Sequence, residues 1–178
     1  MYIKKDVPRA AEASPGLGIN PKDKIILIDV DDIDVMPDTD DKGVRITDDI
    51  VMKEGCYAYC VYMTPGTTEV TSAAEGDPDN IGFTPSVKFN HPGNGIEVRE
   101  FKTNNVNRRF IVIVEYCSGK PTDLIGSPCN PCALTTSYTG NKDGSSNEIT
   151  LSQISKGDDI KVYEGKITLE EPGAGPSA

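Results

Sequence analysis

Arg108-Arg109-Phe110-Ile111-Val112-Ile113-Val114-Glu115-Tyr116-Cys117 is the most apolar and most β-branched run in the chain, and its reading decides the fold. Asn107 bounds it on one side and Ser118-Gly119-Lys120-Pro121 on the other. A helix would set four β-branched residues side by side, with their χ1 freedom lost against the preceding turn. A strand buried on both faces is the favoured reading, because the apolar residues run continuously instead of alternating. Such a strand needs a covering layer on each side, so the rest of the chain is expected to supply further strands.

Working outward, Lys24 to Val30 reads as the first strand, and Asp31 to Asp41 as a strand end and loop ahead of the Asp41-Lys42-Gly43 turn. Val44 to Met52, broken by Asp48-Asp49, reads as two short strands or one with a bulge. Cys56 to Met63 places Cys56, Ala58, Cys60 and Tyr62 on one face and Tyr57, Tyr59, Val61 and Met63 on the other. Neither face is charged, so both are expected to be covered, one of them by a neighbouring subunit. Thr64 to Thr84 is a long loop, with Thr67 to Thr71 as half of a projecting hairpin; loops of that length inside a domain tend to make contacts or carry function.

Pro85 to Asn90 alternates with Val87 and Phe89 inward, and His91-Pro92-Gly93-Asn94-Gly95 turns the chain. Ile96 to Phe101 alternates again and is expected to be the antiparallel neighbour of the opening strand. Ser118 to Pro131 reads as a loop, followed by strands over Cys132 to Tyr138, Asn147 to Ile154 and Asp159 to Leu169. The expectation is an all-β domain, a single β-sandwich or flattened barrel of about nine mostly antiparallel strands. It spans 24–169, behind an extended N-terminal arm over 1–23 and ahead of a flexible Gly/Pro-rich tail over 170–178.

The 178 residues are enough for one domain with a core and too few for two ordinary ones. With 17 Gly, 13 Pro and no Trp, the composition is turn-rich and fits short strands joined tightly. A formal net charge of -10 repels phosphate backbones, which excludes tight or sequence-specific nucleic-acid binding as the expected role. No apolar run approaches the roughly 20 residues needed to cross a bilayer as a helix. The N-terminal residues lack an apolar signal core, so the chain is expected to be made in a cytosol and not secreted.

Candidate chemistry is sparse. The odd count of five cysteines argues against a disulfide framework, and buried thiols are the plain reading; Cys129-Asn130-Pro131-Cys132 has zinc-knuckle or redox spacing, with Cys117 and His91 as the further ligands it would need. Asp38, Asp40, Gly43 and Asp49 fall at the first, third, sixth and twelfth positions of a calcium loop, but Lys42 occupies the fifth, where a carboxylate belongs. A solvated acidic loop is the plainer reading. His91 reads as a turn residue, and Glu115 as the ion-pair partner of Arg99, Arg108 or Arg109 and not a catalytic carboxylate. Pro15-Gly16-Leu17-Gly18 precedes no helix and is no phosphate cradle. No catalytic, cofactor-binding or metal-binding residue is assigned, and no enzyme activity is expected.

Several stretches, in order, carry a resemblance: Asp41-Lys42-Gly43-Val44, Glu75-Gly76-Asp77-Pro78 before Gly82-Phe83, and Asn90-His91-Pro92-Gly93-Asn94. It continues through Arg99-Glu100-Phe101, the apolar strand, Gly126-Ser127-Pro128-Cys129 and Tyr163-Glu164-Gly165. Together they resemble small virion structural proteins of phages infecting gut Bacteroidetes, the crAss-like phages among them. The resemblance implies a β-sandwich subunit of the tail-tube or neck-ring kind, a homo-oligomeric ring in the virion that contacts other tail, neck or portal-proximal proteins. The alternatives are a capsid-decorating protein and a calcium- or carbohydrate-binding β-sandwich module.

Overall fold

The computed structural model describes residues 4–11, 15–117, 119 and 121–169. The expected tail over 170–178 and parts of the arm lie outside the described residues. In chain order the strands are β1 (Pro21–Asp29), β2 (Ile33–Val35), β3 (Arg45–Ile46), β4 (Val51–Met52) and β5 (Tyr59–Tyr62). Next come β6 (Glu69–Thr71), β7 (Ala74–Glu75), β8 (Gly82–Phe83) and β9 (Ser86–Pro92), then the helix α1 (Ile96–Asn105). After it follow β10 (Arg109–Tyr116), β11 (Thr122–Ile125), β12 (Cys132–Asn141), β13 (Gly144–Gln153) and β14 (Lys161–Tyr163).

The all-β class holds, and β10 is its centre. One edge of β10 pairs antiparallel with β1, Ile25 opposite Val114 and Ile28 opposite Ile111. The other edge is shared: Arg109 and Phe110 pair with β12, and Val112 to Val114 pair with β11. The ten-stranded sheet therefore forks at β10, one branch running β11-β14-β3 and the other β12-β13-β9-β6, with β5 beyond β1. All pairs in it are antiparallel except β14 with β3.

Period-two alternation along β10 sends its side chains into two cores. Phe110, Val112, Val114 and Tyr116 join Ile25, Leu27, Val61, Val87, Phe89, Leu134, Ile149 and Leu151. Ile111 and Ile113 join Ile26, Ile28, Ile46, Ile50, Leu124 and Tyr163 on the other side, over which Ile33 and Met52 of the small β2-β4 ladder pack. The unbroken apolar run is thus the signature of a strand covered twice.

The layers are those of a sandwich whose sheet curls without closing into a barrel. Between β5 and β9 the backbones meet only at the loop after β5, where the Thr64 N–H donates to the Asn90 carbonyl (2.8 Å). Helix α1 fills this gap, corrected here from the strand expected over Ile96 to Phe101. Val98, Phe101 and Asn105 recur at helical spacing: Val98 is buried, Phe101 packs edge-on to Tyr59, and Asn105 Oδ1 accepts from the Tyr59 hydroxyl (3.4 Å). Ile96, which made the alternation look strand-like, is 74% exposed.

Other expectations are corrected in detail. Ser118 to Pro131 contains β11, and the loop from Thr64 to Thr84 contains β6, β7 and β8, with β6 lying on β9 as a sheet edge and not as a projecting hairpin. There are more strands than the nine expected because several are two or three residues long. β1 begins at Pro21, inside the expected arm, and the last strand is confined to Lys161–Tyr163. Along Cys56 to Met63, Ala58, Val61 and Met63 are buried and Cys56 is half-buried while Tyr57, Cys60 and Tyr62 are exposed, so the expectation that both faces are covered is corrected: each is covered only in part.

Candidate assembly surfaces

Two adjoining concavities lie where β11 and β13 end and β14 begins. Gly126 closes β11 with φ +91°, and a Cβ there would come within 3.2 Å of both the Cys132 Sγ and the Phe110 carbonyl, so a side chain is disfavoured on two grounds. Ser127 and Asn130 then exchange backbone hydrogen bonds (3.1 Å each), and the Asn130 amide clamps Ser155, donating to its carbonyl at 2.7 Å and accepting from its N–H at 3.1 Å. The two turns form one wall of a cleft of about 340 Å³, with Gln153, Asp158, Asp159 and Lys161 opposite. A second hollow of about 280 Å³ continues from it, sharing Gly126, Ser127, Cys129 and Lys161, and is walled by Met36, Pro37, Asp38, Ile46 and Pro128.

Lys161 is nearly enclosed and pairs with the exposed Asp158 carboxylate at 2.7 Å. Asp159 accepts from the Ser72 hydroxyl at 2.5 Å and from the Ile160 N–H at 2.8 Å. Gln153 is only 9% exposed, and its Oε1 has no donor. A buried acceptor without a partner is costly, so this atom is one to account for.

The Cys-x-x-Cys pair divides: Cys129 is exposed in the cleft, whereas Cys132 is in the core, where burial pushes its thiol up to about 12. A single tetrahedral ion therefore does not have both sulfurs facing it. All five cysteines are free, but the expectation of buried thiols is corrected: only Cys132 is buried, Cys56 is half-buried, and Cys60, Cys117 and Cys129 are exposed. Among the described residues no group of three or more His, Cys, Asp or Glu is placed to hold a metal. In the acidic loop Asp40 Oδ1 accepts from the Val44 and Arg45 N–H groups (2.9 and 3.1 Å), which holds its carboxyl below the ordinary range. Asp49 accepts from the Lys166 N–H at 2.7 Å, and Asp38 lines the second hollow. These carboxylates serve turns and walls.

His91 lies in β9, opposite Asn147, and not in a turn. Its ring meets Tyr62 edge-on at 6.3 Å, beside an apolar groove of about 190 Å³ between β5 and α1, and its Nδ1 is buried without a partner. Glu115 pairs with Lys22 at 3.0 Å and not with an arginine, because β1 starts early enough to bring Lys22 alongside β10. Arg108 instead holds the buried Asp29 at 2.7 Å, and Arg109 reaches Asp31 at 3.5 Å. The basic pair is spent on the acidic end of β1.

At the opposite side, β12 and β13 pair through ten rungs, from Cys132 and Gln153 to Asn141 and Gly144. β12 leaves β10 after Phe110, and from Leu134 to Asn141 its outer edge pairs with no strand among the described residues. Residues 137–145 are exposed along both strands. Lys102 of α1 braces the base, donating to Asn147 Oδ1 at 2.5 Å and lying 5.4 Å above the Tyr138 ring. The arm adds exposed apolar surface, with Val7 at 95% and Leu17 at 71% exposure. Among the described residues no helix is long and apolar enough to cross a membrane.

These surfaces were partly visible in the sequence: the arm and the acidic loop were, whereas the cleft and the open β12 edge arise from strand pairing between distant segments. Comparison with protein-family models, curated proteins and solved structures finds no match to this chain.

Proposed function

We propose that the chain is a structural subunit of a phage virion, of the tail-tube or neck-ring kind, that assembles into a homo-oligomeric ring and carries no catalytic activity. The observation that carries this reading is the β12-β13 hairpin. From Ser137 to Ser145 its residues are exposed, yet from Leu134 to Asn141 it presents an edge that pairs with no strand among the described residues. Proteins that stay alone blunt or cover such edges, and an edge left open is a template for another chain. Exposed apolar side chains on the arm, at Ile81 and at Ile96 provide further contact surface.

The order of the resembling stretches in the sequence supports the same reading, with the virion as its place, the host cytoplasm as the site of synthesis, and neighbouring tail, neck or portal-proximal proteins as further partners. A net charge of -10 suits a conduit, because a lumen that bound DNA through released counterions would stall its passage.

Mass measurement in solution together with negative-stain imaging tests the proposal. Rings or tubes are expected from the full chain, and a variant with Thr139 to Ser146 replaced by a two-residue turn should fold and remain monomeric. A full chain that stays monomeric at high concentration, or a truncated variant that still forms rings, would overturn it.

A further inference from the structure

We infer that the open edge of β12 is covered by the β12 edge of a second copy, the two strands running antiparallel about a two-fold axis at Tyr138. This rests on the ring reading and names what the hairpin meets. Three observations converge on it.

The first is the direction of the backbone groups. The Gly93 N–H donates to the Ser145 carbonyl and the Gln153 N–H to the Pro85 carbonyl, so the odd residues of β13 face β9 and its even residues face β12. This direction alternates along an antiparallel ladder. Thr139 lies opposite Ser146, which turns the odd residues of β12 toward β13 and leaves the N–H and C=O groups of Thr136, Tyr138 and Gly140 pointing outward. Among the described residues no strand receives them.

The second is the lack of a guard. Sheet edges that stay unpaired are short, charged or covered. β3 is two residues long and carries Arg45, and β6 is three residues long and carries Glu69. Beside β5 the Ala58 and Thr64 N–H groups are taken by the Thr168 and Asn90 carbonyls, and Val98 and Phe101 of α1 line the groove between. Leu134 to Asn141 contains no Asp, Glu, Lys or Arg, in a chain of net charge -10. Two such chains meet at this edge without like charges directly opposed. Of its charged neighbours, Lys102 over the Tyr138 ring is held by Asn94 and Asn147, and Glu148 opposite Ser137 pairs with Lys88.

The third is self-complementarity. β10 occupies the outer side of β12 at Cys132 and Ala133, so a partner strand has room only beyond them. With Tyr138 opposite Tyr138, Thr136 faces Gly140 and Ser137 faces Thr139, the aromatic and hydroxyl pairs that stabilise sheets. That register brings the turn residues Lys142 and Asp143 to the start of the second copy's β10, where Arg109 and Asp31 form an exposed pair at 3.5 Å. Neither turn residue has an ion-pair partner among the described residues of its own chain. Opposite charges so placed fix register. An isologous contact joins copies in pairs, so the ring is built of pairs.

Cysteine cross-linking of the full chain tests this, with the exposed Cys60, Cys117 and Cys129 changed to serine. Residues opposed as a hydrogen-bonded pair lie about 5.5 Å apart between Cα atoms, within disulfide reach. Mild oxidation of Tyr138→Cys in that background should give covalent dimers, whereas Thr139→Cys, which is not opposite itself, should give few. Thr136→Pro removes only an outward N–H and should weaken self-association about tenfold with an unchanged circular dichroism spectrum. If that variant unfolds, the cysteine link decides alone. Failure of position 138 to link above position 139, while the unmodified chain forms rings, would overturn this inference and leave the ring reading standing. A folded Thr136→Pro chain that assembles undiminished would also overturn it, and an unmodified chain that never assembles would overturn both.

Discussion

Replacing Phe110 and Ile111 with alanine, one at a time, tests whether β10 is covered on both faces. The two residues are adjacent, both are fully buried, and they enter different cores. Truncation of a buried side chain costs the transfer energy of the lost atoms plus the cavity left behind, about 3–5 kcal/mol for Phe→Ala and about 2–5 kcal/mol for Ile→Ala. In a chain of this size a loss of 3 kcal/mol lowers the melting temperature by about 6–12 °C. Tryptophan is absent, so unfolding in urea is best followed by far-ultraviolet circular dichroism. A sheet with one wet face would give one large effect and one within about 0.5 kcal/mol. That asymmetric result, at either residue, would refute the doubly covered strand.

Tyr116→Phe removes the hydroxyl that donates to Asp123 at 2.5 Å. Burial raises the Asp123 carboxyl above its ordinary value and the tyrosine hydrogen bond lowers it. Ionisation of Asp123 thus opposes folding as pH rises through the raised value, and Tyr116 offsets part of that loss. The variant should be less stable by about 1–2 kcal/mol at neutral pH, the gap closing as pH falls toward about 4; a pH-independent difference in urea midpoints would refute this. Asn147→Ala takes a fully buried amide from between Lys102 and the Gly93 carbonyl and should cost about 2–4 kcal/mol in thermal unfolding, with a change under 0.5 kcal/mol counting against the bracing role. Gly126→Ala, at φ +91° with two neighbours already at 3.2 Å, should cost about 1–3 kcal/mol by urea titration, and an unchanged midpoint would show that the turn yields freely.

The central strand was legible because its apolar residues fill both period-two sets, which only double burial explains. Helix α1 was not: Ile96 and Val98 imitate a strand for three residues, and Gly95 supplies no capping side chain to mark a helix start. β11 hid because only Leu124 and Ile125 are buried between Pro121 and Gly126. Glu115 was assigned the wrong partner because Lys22 reads as arm until β1 is seen to begin at Pro21. The two hollows beside Gly126 could not be read at all, since Asp38 lines one, Gln153 the other and Lys161 both, from segments far apart in the sequence. Their available signals were the glycines at positions 126 and 157, which mark turns without saying that the turns face each other.

The pairing of β1 with β10 has a consequence for synthesis. Ile25-Ile26-Leu27-Ile28 leaves the ribosome first, and its partner Ile111 to Val114 follows only after β2 to β9 and α1. At ordinary translation rates the sticky strand waits on the order of ten seconds without its mate. Lys22, Asp23 and Lys24 precede it, and Asp29, Asp31 and Asp32 follow it. In the finished fold Lys22 and Asp29 hold partners across the sheet; in the nascent chain the same charges flank the apolar run and keep it from joining the wrong one.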